Sequence, residues 1–109
     1  MSKKTFVKND SGKPEFGYVP MELLTDVNEV LRYGANKYEF ENWKKEGFTY
    51  SRAYNAMLRH IFAFWRGEDT DPESGFSHVD HAICNLLFLK HHIKNKTNTD
   101  DRPCKIGVK

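Results

Sequence analysis

The sequence predicts an all-α fold: a three-helix unit with long connections, completed as a helical bundle by oligomerisation. Three observations carry that prediction. Apolar residues recur at helical spacing in three separate segments. Proline and glycine stand at segment ends, where they start and stop helices. The stretches between the segments are polar, aromatic or acidic and hold no apolar period.

The elements follow in chain order. Asn9-Asp10-Ser11-Gly12-Lys13-Pro14 is a loop by its turn chemistry, and Phe6-Val7 before it suits a short extended piece. A first helix starts at Pro20, whose missing N–H has no partner at a first helical position anyway. Leu23, Leu24, Val27, Val30 and Leu31 form its stripe, and Gly34 is the expected stop. Residues 35–48 read as a long connection containing Lys37, Tyr38, Asn42 and Trp43. A second helix runs from about Ser51 to Arg66 and is closed by Gly67, with Tyr54, Met57, Ile61, Phe64 and Trp65 as its apolar stripe. An acidic loop spans Gly67 to Gly75. A third helix runs from Ser74 or Ser77 to Lys94, with Phe76, Val79, Ile83, Leu86 and Leu87 as its stripe. The tail from Asn95 is polar and expected to be mobile.

The chain has 109 residues, the length of a single domain (1–109), with a globular part at about 9–94 and a polar tail at 95–109. A domain of this size buries a modest core and often completes it across an oligomer interface. Lysine and arginine number 17 against 15 acidic residues, a net charge of +2, which leaves no concentrated basic stripe for duplex nucleic acid. An apolar content of 39% is too high for a wholly disordered chain. No run approaches the ~18 consecutive apolar residues of a membrane span, and the start MSKKTFVKND has no apolar stretch of a secretory signal. Cys84 lies in an apolar run and Cys104 in the polar tail, which makes no disulfide framework. A reducing, cytoplasmic setting is the expectation.

The third helix has an unusual second face. With ~100° of rotation per residue, His78, His81, Asn85, Phe88 and His92 fall together opposite Ile83. A solvated face would carry lysine and glutamate, so this helix is expected to be covered on both sides. Arg59 and His60 interrupt the apolar run of the second helix. If the two helices pack antiparallel, His60 approaches His78 or His81, and the acidic loop caps that end of the cleft. His60, His78 and His81 are therefore candidate catalytic groups, with hydrogen-bonded core histidines as the alternative. His91 and His92, near a helix C-terminus, read as structural.

Glu68, Asp71 and Glu73, with Asp69, bring carboxylates into one loop. Such a loop could hold Mg²⁺, or Mn²⁺ in its place, or simply favour the dipole of the following helix. Lys13, Lys37 and Arg59 are candidate phosphate contacts. Tyr38 offers a face on which a base could stack, whereas Trp43 reads as packing. There is no Walker loop, Gly-x-Gly-x-x-Gly, Cys-x-x-Cys or serine nucleophile elbow.

Taken together, Asp10-Ser11-Gly12-Lys13-Pro14, Tyr33-Gly34-Ala35-Asn36-Lys37-Tyr38, Asn42-Trp43, Arg59-His60, Gly67-Glu68 through Asp71-Pro72-Glu73-Ser74-Gly75, and His78, His81 and Asn85 resemble a phage-encoded family. It is the N-terminal domain of dATP/dGTP diphosphohydrolases, and the resemblance spans roughly residues 9–90. It implies a helical protein similar in style to MazG-type nucleotide pyrophosphohydrolases, which are oligomers that use helix-borne carboxylates and Mg²⁺ to split a nucleoside triphosphate into monophosphate and pyrophosphate. MazG-type enzymes pair Glu-x-x-Glu with a later Glu-x-x-Asp. Here Glu68-x-x-Asp71 matches the second half but falls in a loop, and Asp26-x-x-Glu29 is the nearest approach to the first.

The resulting expectation is a purine dNTP diphosphohydrolase in the cytoplasm of an infected bacterial host. Lys13, Lys37 and Arg59 would hold phosphates, Tyr38 and Asn85 the base or sugar, Glu68, Asp71 and Glu73 the Mg²⁺, and the histidines the attacking water. The runner-up is a binding protein that sequesters a nucleotide-derived signal, such as a cyclic nucleotide, without hydrolysing it. Both are expected to be homo-oligomers with no membrane or duplex nucleic-acid partner.

Overall fold

The computed structural model describes residues 4–97 and 99–106. Three long helices dominate: α1 at Met21–Lys37, α2 at Tyr50–Trp65 and α3 at His78–Lys94, followed by a short α4 at Pro103–Ile106. Single 3-10 turns occur at Phe16–Tyr18 and Asn42–Lys44. Among the described residues there is no strand, only an isolated bridge between Thr70 and Ser77 that pinches the acidic loop shut. The all-α expectation holds. Among the described residues no helix is long and apolar enough to cross a membrane.

α3 is the central helix. It packs along α2 and, on another side, against α1. His60 of α2 meets His78 at the start of α3, whereas Tyr50 meets Thr99 just beyond the end of α3. α2 and α3 are therefore antiparallel. Residues 4–20 are exposed along their whole length. They draw the molecule out to 73 × 35 × 27 Å with a radius of gyration of 19.1 Å, against the ~13 Å of a compact chain this long.

The expected stop at Gly34 is not used: α1 continues to Lys37, and the Tyr38 N–H bonds to the Gly34 carbonyl. A mid-helix glycine costs about 1 kcal/mol. Contacts on both sides of it oppose that cost: Tyr33 edge-on to Phe76 at 5.8 Å, and Lys37 paired with Glu73. The expected stop at Gly67 is used. Glu68 N–H bonds to Ala63 C=O and Gly67 N–H to Phe64 C=O, the two bonds of a Schellman ending, with Gly67 at φ 103°.

The apolar stripes proposed for α2 and α3 are only partly the buried faces: Phe76 and Ile83 pack against the core, but most of the rest stays outside. α2 turns Ala53 and Ala63 into the protein and leaves Tyr54, Ile61, Phe64 and the 84%-exposed Trp65 outside. On α3, Ala82 and Cys84 are buried while Val79, Leu86 and Leu87 are exposed. The reason is steric. Alanines let two helix backbones approach closely, and that approach carries His60 to α3. The core proper is thin: Val27, Val30 and Cys84, ringed by Leu24, Leu31, Phe76, Ile83 and Phe88.

The described part of the tail is anchored, contrary to the expectation of mobility. Thr99 C=O accepts from Tyr50 N–H, and Asp101 accepts from the Ser51 N–H (2.9 Å) and hydroxyl. Those bonds satisfy donors at the start of α2 that have no partner inside the helix, and Thr49 caps Arg52 N–H beside them. The rest of the tail reading, at residues 98 and 107–109, lies outside the described residues, as do residues 1–3 of the domain reading.

Candidate active site

The ends of three helices and the acidic loop enclose an open cleft of about 560 Å³. A nucleotide-sized ligand needs a pocket of this order. α1 contributes Lys37 and the adjoining Tyr38, α2 contributes Arg59 and His60, the loop Asp71 and Glu73, and α3 His78, His81 and Asn85. The apolar part of its wall includes Val30, Leu31, Trp43, Cys84 and Phe88. Trp43 stacks on Phe88 at 4.8 Å, as a packing residue does.

The three candidate histidines converge. His60 Nδ1 and His78 Nδ1 lie 2.8 Å apart, and the His60 and His81 rings stack in parallel at 4.4 Å. His78 is only 3% exposed, and its Nε2 lies 2.7 Å from Glu68 Oε1. Ser77 caps α3 by accepting from the Val79 and Asp80 N–H groups, which starts the helix with His78 already facing α2. Burial pushes His60 below the ordinary imidazole value, and its neighbours His81 and His78 push it further. Burial also lowers His81, against the opposing field of Asp71. Both rings are neutral near pH 7.

Asp71 is the organiser of the loop. Ser74 Oγ donates to Asp71 Oδ2 (3.1 Å) and lies 2.7 Å from His81 Nε2. Because the single hydroxyl proton goes to Asp71, His81 Nε2–H is the donor to Ser74, and His81 Nδ1 is bare. Burial raises the Asp71 carboxyl, but hydrogen bonds from Ser74 and the Glu73 N–H outweigh it, and the net shift is downward. Sequence reasoning missed Ser74; the signal was the Asp-Pro-Glu-Ser-Gly turn, in which a serine three residues after an aspartate closes a side-chain ring.

The candidate cations divide. Lys37 is at the cleft, paired with Glu73 and 5.3 Å from the Tyr38 ring; its hydrogen bond to Glu73, then that to Tyr38, raises its pKa. Arg59 lines the cleft and makes no ion pair among the described residues. Lys13 lies on the exposed arm, in the turn closed by Lys13 N–H to Asp10 C=O, and is not brought to the cleft. Asn85 Nδ2 donates to His81 C=O, leaving its amide oxygen for a ligand.

The candidate metal carboxylates are held apart. Glu68 is engaged by His78, Asp71 by Ser74, and Glu73 by Lys37. Among the described residues no three histidine, cysteine or acidic side chains form a group able to hold a metal ion. As arranged, Glu68, Asp71 and Glu73 do not fit a resident Mg²⁺.

Residues 3–102 match the family described as dATP/dGTP diphosphohydrolase, N-terminal. The chain belongs to that family. It is also 32% identical over 98 residues to a dATP/dGTP diphosphohydrolase of Salmonella phage PMBT28. That alignment covers 90% of this chain and 33% of the relative, so the chain spans about a third of the relative's length. No solved structure matches it. Among the residues shared by the cleft and the family resemblance, Lys37, Arg59, His60, Asp71, His78, His81 and Asn85 carry polar or ionisable side chains that the fold gathers into one place.

Proposed function

We propose that the cleft binds a purine deoxynucleoside triphosphate and hydrolyses it to the monophosphate and pyrophosphate. The observation that carries this reading is a neutral imidazole pair, His60 stacked on His81, in a cleft that the cations Lys37 of α1 and Arg59 of α2 also line. The cations receive the phosphates, Arg59 through its planar fork and Lys37 by exchanging Glu73 for a phosphate oxygen. The exposed Tyr38 ring stacks on the base, and the Asn85 amide oxygen accepts from base or sugar. His60 takes the proton of the attacking water, with His81 and His78 fixing its position. Lys13 takes part only if the arm folds over the cleft. Mg²⁺, or Mn²⁺ in its place, enters as the counter-ion of the polyphosphate rather than as a resident of a protein cage. Family membership and the phage relative support the substrate class.

A second copy of the chain is part of this proposal. Tyr54, Phe62 and Trp65 leave an apolar surface on the outer side of α2 that one chain does not cover.

The test is incubation of the purified chain with each of the four dNTPs and Mg²⁺, separating products by chromatography. The expected result is dAMP or dGMP with equimolar pyrophosphate, formed faster than any pyrimidine product. Folded protein that turns over no dNTP, or that binds one and returns it unchanged, overturns the hydrolase reading.

A further inference from the structure

Glu68 was expected to ligate a metal, but it is spent on a histidine. Its backbone is pinned by the Schellman bond to Ala63, and its carboxylate accepts from the buried His78 ring. That contact has consequences for the proton inventory of the site. A carboxylate only accepts, so His78 Nε2 carries a proton. With His78 taken in its neutral form, its Nδ1 is bare. The 2.8 Å contact between the two Nδ1 atoms holds one proton, which must belong to His60. A neutral His60 with its proton on Nδ1 is bare at Nε2. Among the described residues no buried side-chain nitrogen lacks a partner. Among the described residues His60 Nε2 makes no protein hydrogen bond, so it is open to the cleft that His60 lines.

We propose that Glu68 is a positioning residue that acts through His78 to fix the proton of His60 on Nδ1, so that Nε2 is presented to water as the base. This rests on the hydrolase reading above for its catalytic half; the tautomer half stands on the geometry together with a neutral His78. The chain of contacts also accounts for the charge. His60 Nε2 takes a proton from water as the water oxygen bonds to a phosphorus beside the bridging oxygen. The P–O bond breaks, and the leaving group departs with that electron pair. The His60 Nδ1 proton passes to His78 Nδ1, which places the positive charge next to the Glu68 carboxylate. The leaving group or solvent then reclaims the proton, and the rings return to their starting tautomers. His81 cannot replace His60 in this role through the same route, because its own Nε2–H is committed to Ser74.

The test is imidazole ¹⁵N spectroscopy of the labelled chain at neutral pH, together with steady-state kinetics of Glu68→Ala and Glu68→Gln. In the unaltered chain His60 is expected as the Nδ1–H tautomer and His78 as the Nε2–H tautomer. Glu68→Ala is expected to release His60 into a mixture of tautomers and to lower kcat on the order of 100-fold, with KM for dATP changed less than about threefold. Glu68→Gln, which keeps an acceptor oxygen but not the charge, is expected to restore the tautomer and part of kcat. Glu68 is half-exposed and its backbone bonds survive both changes, so both variants fold. Finding His60 protonated on Nε2 in the unaltered chain, or tautomer and kcat both unmoved in Glu68→Ala, overturns the proposal. Tautomers as assigned that shift in Glu68→Ala, in a chain that hydrolyses no dNTP, support the positioning role and overturn the hydrolase reading instead.

Discussion

α3 buries two histidines, His78 at its first turn and His92 at its last, 3% and 1% exposed. Each is gripped by the residue that follows a Schellman ending. Glu68 follows the end of α2 and binds His78; Thr97 follows the end of α3, with Thr97 N–H on His92 C=O, and its hydroxyl lies 2.8 Å from His92 Nδ1. The geometry is shared and the chemistry is not. His92 has its other nitrogen 2.9 Å from the Trp43 carbonyl and stacks on Phe48 at 4.0 Å. A carbonyl and a hydroxyl do not exchange protons near neutral pH. A carboxylate and a second imidazole do. Burial alone therefore does not mark a functional histidine; the ionisability of its partners does.

The largest expected effect separates the two ends by paired substitution. His60→Ala removes the base and is expected to lower kcat about 10²–10⁴-fold, with the melting transition little changed because its ring is only half-buried. His92→Ala is expected to leave kcat per folded molecule intact and to cost about 3 kcal/mol, since it strands the Trp43 carbonyl and removes a buried ring from Phe48. Denaturant titration and kinetics on both variants check this. If His92→Ala lowers kcat as much as His60→Ala does, the distinction between the ends fails.

Much of this comparison was legible in the sequence. The 3.6-residue period gave three helices, Gly67 gave the end of α2, and the imidazole face of α3 predicted a helix covered on both sides. Given antiparallel packing of α2 and α3, rotation brings His60 to His78 or His81, and the position near a helix C-terminus reads His92 as structural. Two kinds of feature were not legible. Side-chain pairing across the fold brings Glu68 to His78, and no local pattern encodes that contact. The buried side of α2 was also misjudged, because hydropathy favours Tyr54 and Trp65 where close helix approach selects Ala53 and Ala63.

A smaller effect appears on acidification. His60 and His81 have lowered folded-state values, so the unfolded chain takes up protons first as pH falls. Their contribution is complete above the unfolded value of about 6.5. It is lost as pH falls from there through the lowered folded values, and the loss then levels off. Stability measured by urea titration is expected to fall between pH 7.5 and 5.5, and to fall less in His60→Gln. An equal fall in both would place the acid sensitivity outside the cleft.

The smallest effect tests whether the two Schellman endings are equivalent scaffolds. Gly67 meets the left-handed requirement at φ 103° without a side chain, whereas Lys96 holds φ 53° with one. A side chain in that region costs about 1 kcal/mol relative to glycine. Lys96→Gly relieves that strain and should stabilise the folded chain, less the added entropy of a glycine in the unfolded state. The expected net gain is on the order of 0.5 kcal/mol, read as a small rise in the urea midpoint with kcat unchanged. A loss of stability would mean that the Lys96 side chain contributes more than its backbone costs. The ending that holds His92 would then depend on side-chain contacts that the ending that holds Glu68 does without.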